Sequence, residues 1–347
     1  MCWRTLLKCT SFSLFAVLSS ATFAVAQTAG DHFYEGKTIS VVVTTASGSG
    51  YDLGTRVFAR HFGKHIPGNP TVVVQNRPGA GGRVGTTYVG SVAPQDGTVV
   101  GALQSFIVLD PLFDESMRKR FDPLTFNWLG SVASTTSVAV AWHTASIASY
   151  RDLFERELIV GGVGTATPMV TLPHLLNRLL GTKFKVVTGY EGGNAVNLAM
   201  MRGEIQGRVD YSWNSLSVER ADWLKEEKIK LLFQIGLRPH KDIVSVPLLV
   251  DMAKTPEDRA ILEASSLSYE LGRSFMVAQN VPADRIAILK RAFQQTMADP
   301  AFQKEAAASN IEVDPILPEK LHALVAKAYQ TPKELIARIR ELQKSAD

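Results

Sequence analysis

Four short loops rich in glycine, serine and threonine carry the chemistry of this sequence: Ser47-Gly-Ser-Gly50, Gly79-Ala-Gly-Gly82, Gly161-Gly-Val-Gly164 and Glu191-Gly-Gly193. Each follows a β-prone run and precedes a helical stretch. That arrangement leaves unpaired backbone N–H groups at a helix N-terminus, where an anion is attracted. Glycine there permits close approach of the backbone to a ligand. Two loops come from the N-terminal third and two from the middle third, which predicts two lobes gripping an anion in a cleft. The candidate first-lobe contacts are Ser47, Gly48, Ser49 and Gly50, with Gln104 and Ser105 after a later strand as a second set. Gly164, Thr165 and Thr167 serve the second lobe, with Tyr190, Gly192 and Gly193 opposite. Asp52 is read first as a helix N-cap and second as a partner for a ligand ammonium. Neither the 47–50 loop nor the 162–165 loop contains Lys or Arg, so backbone amides are expected to hold a carboxylate. Arg77 is read as structural.

Catalytic and metal-binding patterns are weak by comparison. His61 and His65 have the i, i+4 spacing of a helical metal pair, but the run is His-Phe-Gly-Lys-His, not H-E-x-x-H. They precede Pro67, where histidine suits a helix C-terminus. Ser47 and Ser49 are outside any G-x-S-x-G elbow. Gly79-Ala-Gly81 with Gly85 gives GxGxxxG, which departs from the dinucleotide fingerprint. Trp142, Trp213 and Trp223 are read as core, Trp213 being the best candidate for stacking on a ligand. The expectation is a binding protein, with no catalytic set, no metal and no cofactor.

The elements that must position these loops alternate between strand and helix. Strand signals lie at 38–43, 71–74, 98–103, 158–160, 185–188 and 229–235, and the helix signals between them suit crossovers in an α/β architecture. Leu129 to Trp142 reads as one long strand crossing between lobes. Gly181 is placed just past the helix that ends at Leu180. The C-terminal third is mainly helical, with starts marked by Thr255-Pro256, Pro282, Asp299-Pro300 and Thr331-Pro332.

The first 26 residues read as an export signal. Arg4 and Lys8 precede an apolar stretch from Phe12 to Ala24, and Ala24-Val25-Ala26 is a cleavage site, so processing is expected to leave Gln27 first. Both cysteines, Cys2 and Cys9, fall inside that segment, which excludes disulfides and thiolate chemistry from the remainder. At 46% hydrophobic and 20% charged, the 347-residue chain is globular rather than disordered. A net charge of +4, with no basic run longer than Arg118-Lys-Arg120, gives no nucleic-acid footprint.

Several motifs together resemble one family. Gln75-Asn-Arg-Pro-Gly-Ala-Gly-Gly82 is similar to the E-N-R-P-G-A-G-G signature of the tripartite tricarboxylate transporter receptors, the Bug family of periplasmic binding proteins. Ala93-Pro-Gln-Asp-Gly-Thr98, Gly48-Ser-Gly-Tyr-Asp52, Gly162-Val-Gly-Thr165 with Pro168, and Tyr190-Glu-Gly-Gly193 resemble its further loops. The resemblance implies a type II periplasmic-binding fold with a discontinuous first lobe, 27–134 plus 236–347, and a second lobe at 135–235. It implies a monomer in the periplasm that takes a small carboxylate to membrane transporter subunits. A periplasmic sensor presenting its closed form to a kinase is the alternative, and an exported enzyme on the same fold a third. Departures from the pattern are Thr44-Thr-Ala-Ser47, Met169, Gln206 and Glu191, the last standing where a basic residue is common.

Overall fold

The computed structural model describes residues 32–344. The proposed export segment lies outside the described residues. Ten strands form two five-stranded sheets. The first holds β1 (Thr38–Val43), β2 (Thr71–Asn76), β3 (Val99–Leu103), β4 (Asn127–Ser131) and β10 (Ser274–Val277), in the order β2-β1-β3-β10-β4. The second holds β5 (Ser137–Trp142), β6 (Leu158–Gly162), β7 (Phe184–Thr188), β8 (Gly207–Ser212) and β9 (Ile229–Ile235), in the order β7-β6-β8-β5-β9. The main helices are α1 (Gly50–Phe62), α2 (Pro168–Leu180), α3 (Gly193–Met201), α4 (Trp213–Glu219), α5 (Pro256–Ser266), α6 (Ala283–Ala298), α7 (Pro300–Ala308), α8 (Pro318–Ala328) and α9 (Lys333–Gln343).

β1 pairs in parallel with both β2 and β3, with Ser40 opposite Val73 and Val99. A parallel pair needs a crossover connection, which α1 supplies between β1 and β2. Side chains alternate across β1, so Ile39, Val41 and Val43 meet Phe58 and Phe62 of α1, Phe293 of α6 and Phe302 of α7. Val42 on the opposite face joins Trp128, Met276 and the α8 residues Leu321 and Val325. In the second sheet Ala139, Val160 and Phe233 pack under Leu172 and Leu176 of α2, while Val138, Val140 and Tyr211 pack under Val196 and Met200 of α3. Each sheet is therefore covered on both faces, which agrees with the expected α/β class.

Two expectations change. The stretch from Leu129 to Trp142 is two strands in different sheets. At Val132 and Thr135 the backbone amides leave the β4 ladder and bond instead to the carbonyls of Arg273 and Tyr269. The C-terminal stretch 236–347 is also divided. β10, α6, α7 and α8 pack on the first sheet, whereas Leu249, Val250, Ile261 and Leu262 join the second sheet's core with Ile339 and Leu342 of α9. The apolar stripe of α9 lies against α2, so the chain returns to the second sheet at its end. Gly181 adopts φ +85° after α2, the left-handed C-cap read from the sequence.

Candidate functional site

The loop after β1 is built around a buried carboxylate. Asp52, 1% exposed, accepts from the Gly48 amide at 2.8 Å, from Arg56 Nε at 3.1 Å and from Asn76 Nδ2 at 2.9 Å. Burial opposes its ionisation, but the bonds from Arg56, Gly48 and Asn76 outweigh that and hold the carboxyl below its ordinary value. The helix cap is Ser49, whose hydroxyl accepts from the Asp52 amide at 3.3 Å. Asp52 is thus neither the N-cap nor a free ligand carboxylate. It pins the 45–49 loop to the end of β2, because Asn76 also donates to the Thr45 carbonyl at 3.0 Å. Ser47 and Gly48 are exposed, and Ser49 and Gly50 half-buried. Thr45 Oγ1 lies 2.7 Å from Ser49 Oγ.

The Gln75–Gly82 signature is scaffolding in this geometry. The Arg77 guanidinium lies 3.7 Å from the Tyr88 ring centroid, a stacked structural position. Gly82, at φ +97°, leaves room for Gln104, since a Cβ there would lie 2.8 Å from Gln104 Oε1. Ser105 is buried, and its amide faces Tyr51 Oη at 3.5 Å. Gln104 and Ser105 therefore sit beside the β1 loop, at the C-terminal ends of two neighbouring parallel strands. Crevices at such strand ends are where open α/β sheets bind ligands.

On the second sheet, Thr167 is buried and its hydroxyl donates to the Gly164 carbonyl at 2.8 Å. Thr165 is exposed. Tyr190 is half-buried over Gly161, where a Cβ would lie 3.1 Å from Tyr190 Cε2. Gly192 is the N-cap of α3, with Gly193 its first residue. Trp213 is 8% exposed within the second sheet's core, so it does not present a stacking face.

The two lobes touch at these loops. A Cβ on Gly81 would lie 3.1 Å from Thr167 Cγ2, and one on Gly50 would collide with Ser215 Oγ of α4. Gly50, Gly81, Gly164 and Thr167 lie where the two sheets' loops meet, with Ser105 beside Tyr51 next to Gly50. Ser47, Gly48 and Thr165 are exposed, and Ser47 Oγ and the Gly48 amide turn back to Asp52. A separate cavity of about 170 Å³ lies behind the Gly164–Thr167 loop. Arg83, paired with Asp110 at 2.7 Å and Asp114 at 2.9 Å, lines it with Pro168 and Ser268.

Charged residues in this region escaped the sequence reading. Arg208 and Arg273 are both 8% exposed, and Glu219 of α4 lies beside Gly50, where a Cβ would sit 3.3 Å from its Oε1. Burial pushes the Glu219 carboxyl up, against the pull of Arg208, Arg220 and Arg273. Asp210 accepts from Tyr269 Oη at 2.8 Å, and burial raises its carboxyl while Tyr269 and Ser137 oppose that rise. Asp210 has φ +59°, at a bulge where the pairing of β5 with β8 shifts. Polar residues inside a short strand, Gly207-Arg-Val-Asp-Tyr, were the available signal.

By sequence, no protein-family model matches the chain and no curated protein matches it. Its fold matches solved structures. One is the periplasmic binding protein BugD, 19% identical, covering 90% of this chain and 100% of that one at a TM-score of 0.71. Another is MatC from Rhodopseudomonas palustris with bound malate, 17% identical over 89% and 99% of the two chains, TM-score 0.65. A third is a TctC solute-binding protein from Polaromonas, 18% identical over 88% and 99%, TM-score 0.59. The chain shares the two-lobed α/β fold of these proteins.

Proposed function

We propose that this chain, built on the type II periplasmic-binding fold, is a periplasmic solute-binding protein. It captures a small carboxylate between its lobes and delivers it to a tripartite tricarboxylate-type membrane transporter. What supports the reading is the meeting of glycine-rich loops from both sheets, Gly50 against Ser215 and Gly81 against Thr167, with the N-terminus of α3 and Arg208 on the second-sheet side. Backbone amides, hydroxyls and a guanidinium bind and orient an anion; no side chain there is set as a nucleophile beside a base. Contacts made from both lobes exist only in the closed form, so binding favours closure. The malate bound by MatC supports a carboxylate as the ligand class.

Export to the periplasm rests on the signal read at residues 1–26. Among the described residues, no helix is long and apolar enough to cross a membrane. The test is thermal unfolding of the protein with malate, adipate and the uncharged diamide of each. A carboxylate ligand at 100 times its Kd stabilises by about 2.7 kcal/mol and raises the midpoint; the diamides do not. No shift with either acid, or turnover of one, overturns the reading. Delivery is tested by uptake of the bound acid in cells with and without this protein.

A further inference from the structure

The second-lobe side of the cleft holds more charge than a site made of backbone amides requires. Arg208 of β8 is 8% exposed. Its Nη1 donates to Asn197 Oδ1 at 2.9 Å and to the Gly193 carbonyl at 3.4 Å, and its guanidinium carbon lies 3.8 Å from the Tyr211 ring centroid. Its Nε is buried without a hydrogen-bond partner. The guanidinium occupies the first turn of α3, since a Cβ on Gly193 would lie 3.0 Å from Nη2. A cation at the positive end of a helix opposes the helix dipole. A buried, incompletely bonded guanidinium in that place is configured to receive an anion.

One carboxylate of the chain already faces this charge. Glu219, at the end of α4, lies at the start of α1, where a Cβ on Gly50 would sit 3.3 Å from its Oε1, and burial pushes its carboxyl up against the pull of the Arg208, Arg220 and Arg273 charges. Its Oε1 is buried with no hydrogen-bond partner. Glu219 thus reaches from the second lobe to the helix N-terminus of the first, the place that a ligand carboxylate would take.

We propose that Arg208 is the side chain that makes the cleft selective for anions, and that the Glu219 carboxylate is an internal competitor which an incoming carboxylate displaces from the α1 N-terminus. This rests on the solute-binding reading above and names the residues that set the charge of its ligand. Binding exchanges one carboxylate for another, so the resident one lowers affinity without changing the shape of the cleft. Removing the charge of Glu219 clears a carboxylate from the start of α1; removing Arg208 leaves the ligand's charge buried without its partner.

The test is calorimetric titration of the wild-type chain, Arg208→Met and Glu219→Gln with malate, adipate and their diamides. Arg208→Met is expected to weaken the bound acid at least about tenfold, with the diamides giving no binding heat in either chain. Glu219→Gln is expected to tighten the acid about threefold or more, which a merely structural role would not do. If Arg208→Met fails to fold, Glu219→Gln decides alone. Wild-type binding of an acid with Glu219→Gln unchanged or weaker overturns this inference and leaves the solute-binding reading intact. Binding of neither acid by the wild type overturns both.

Discussion

At Asp52 a single carboxylate joins three segments: the 45–49 loop, α1 through its first turn and Arg56, and the end of β2 through Asn76. Asp52→Asn keeps the shape but loses the charge that Arg56, 38% exposed, partners. It is expected to cost about 2–4 kcal/mol in urea unfolding and to weaken ligand binding through the loosened loop. A change below about 0.5 kcal/mol would show that the loop holds itself. Arg77→Ala, by contrast, removes only the stack on Tyr88. About 1 kcal/mol of stability is expected to be lost, with ligand affinity unchanged in titration. The helix start was legible from Asp52, a capping residue type, but Ser49 is the actual cap. That choice was not legible, since it depends on Asn76 and Arg56 drawing Asp52 inward. Arg208 and Glu219 were missed for the same reason: their burial comes from packing between segments far apart in sequence.

Among the elements, α1 and α7 meet through ions. Lys64 and His65, just after α1, pair with Asp299, the N-cap of α7, and Arg60 and His61 pair with Glu305. This accounts for the i, i+4 histidines as helix-joining groups. The bond from Lys64 holds the Asp299 carboxyl well below its ordinary value, helped by the Ala301 amide and His65 and opposed by burial. A depressed carboxyl contributes stability that is complete above the ordinary carboxylate range and is lost as pH falls through that range and below it. Asp299→Asn is therefore expected to destabilise at about pH 7, with the difference from wild type shrinking towards about pH 2 in urea titrations. An equal difference at both pH values would assign the effect to shape rather than charge. The capped helices and the Val-rich strands were readable because their signals are local, as with Thr255 and Asp258 in a capping box. β8 and β10 were not. β10 has only four residues and β8 carries Arg208 and Asp210, so pairing rather than propensity makes them strands.

For the molecule as a whole, the approach of the lobes depends on glycine at position 50, where the contact is tightest. Gly50 makes no strained turn, but a side chain there meets Ser215 of the other lobe. Gly50→Val is expected to hold the lobes apart, to enlarge the radius of gyration in small-angle scattering and to weaken ligand binding at least about tenfold. The thermal midpoint of the free protein should move little, because each sheet has its own core. An unchanged radius would place the closing contact elsewhere. The position of β10 has a consequence in time. It lies between β3 and β4, in the middle of the first sheet, yet follows the whole of the second sheet in sequence. As the chain emerges, β3 and β4 wait with open edges until residue 277 arrives, although all five strands of the second sheet, between β4 and β10 in sequence, have already been made. Pairing across so long a stretch is slow, because a large loop must close before any contact repays it. That delay keeps the first sheet's edges unpaired, and its N-terminal strands dependent on the last strand to be made, through most of the chain's synthesis.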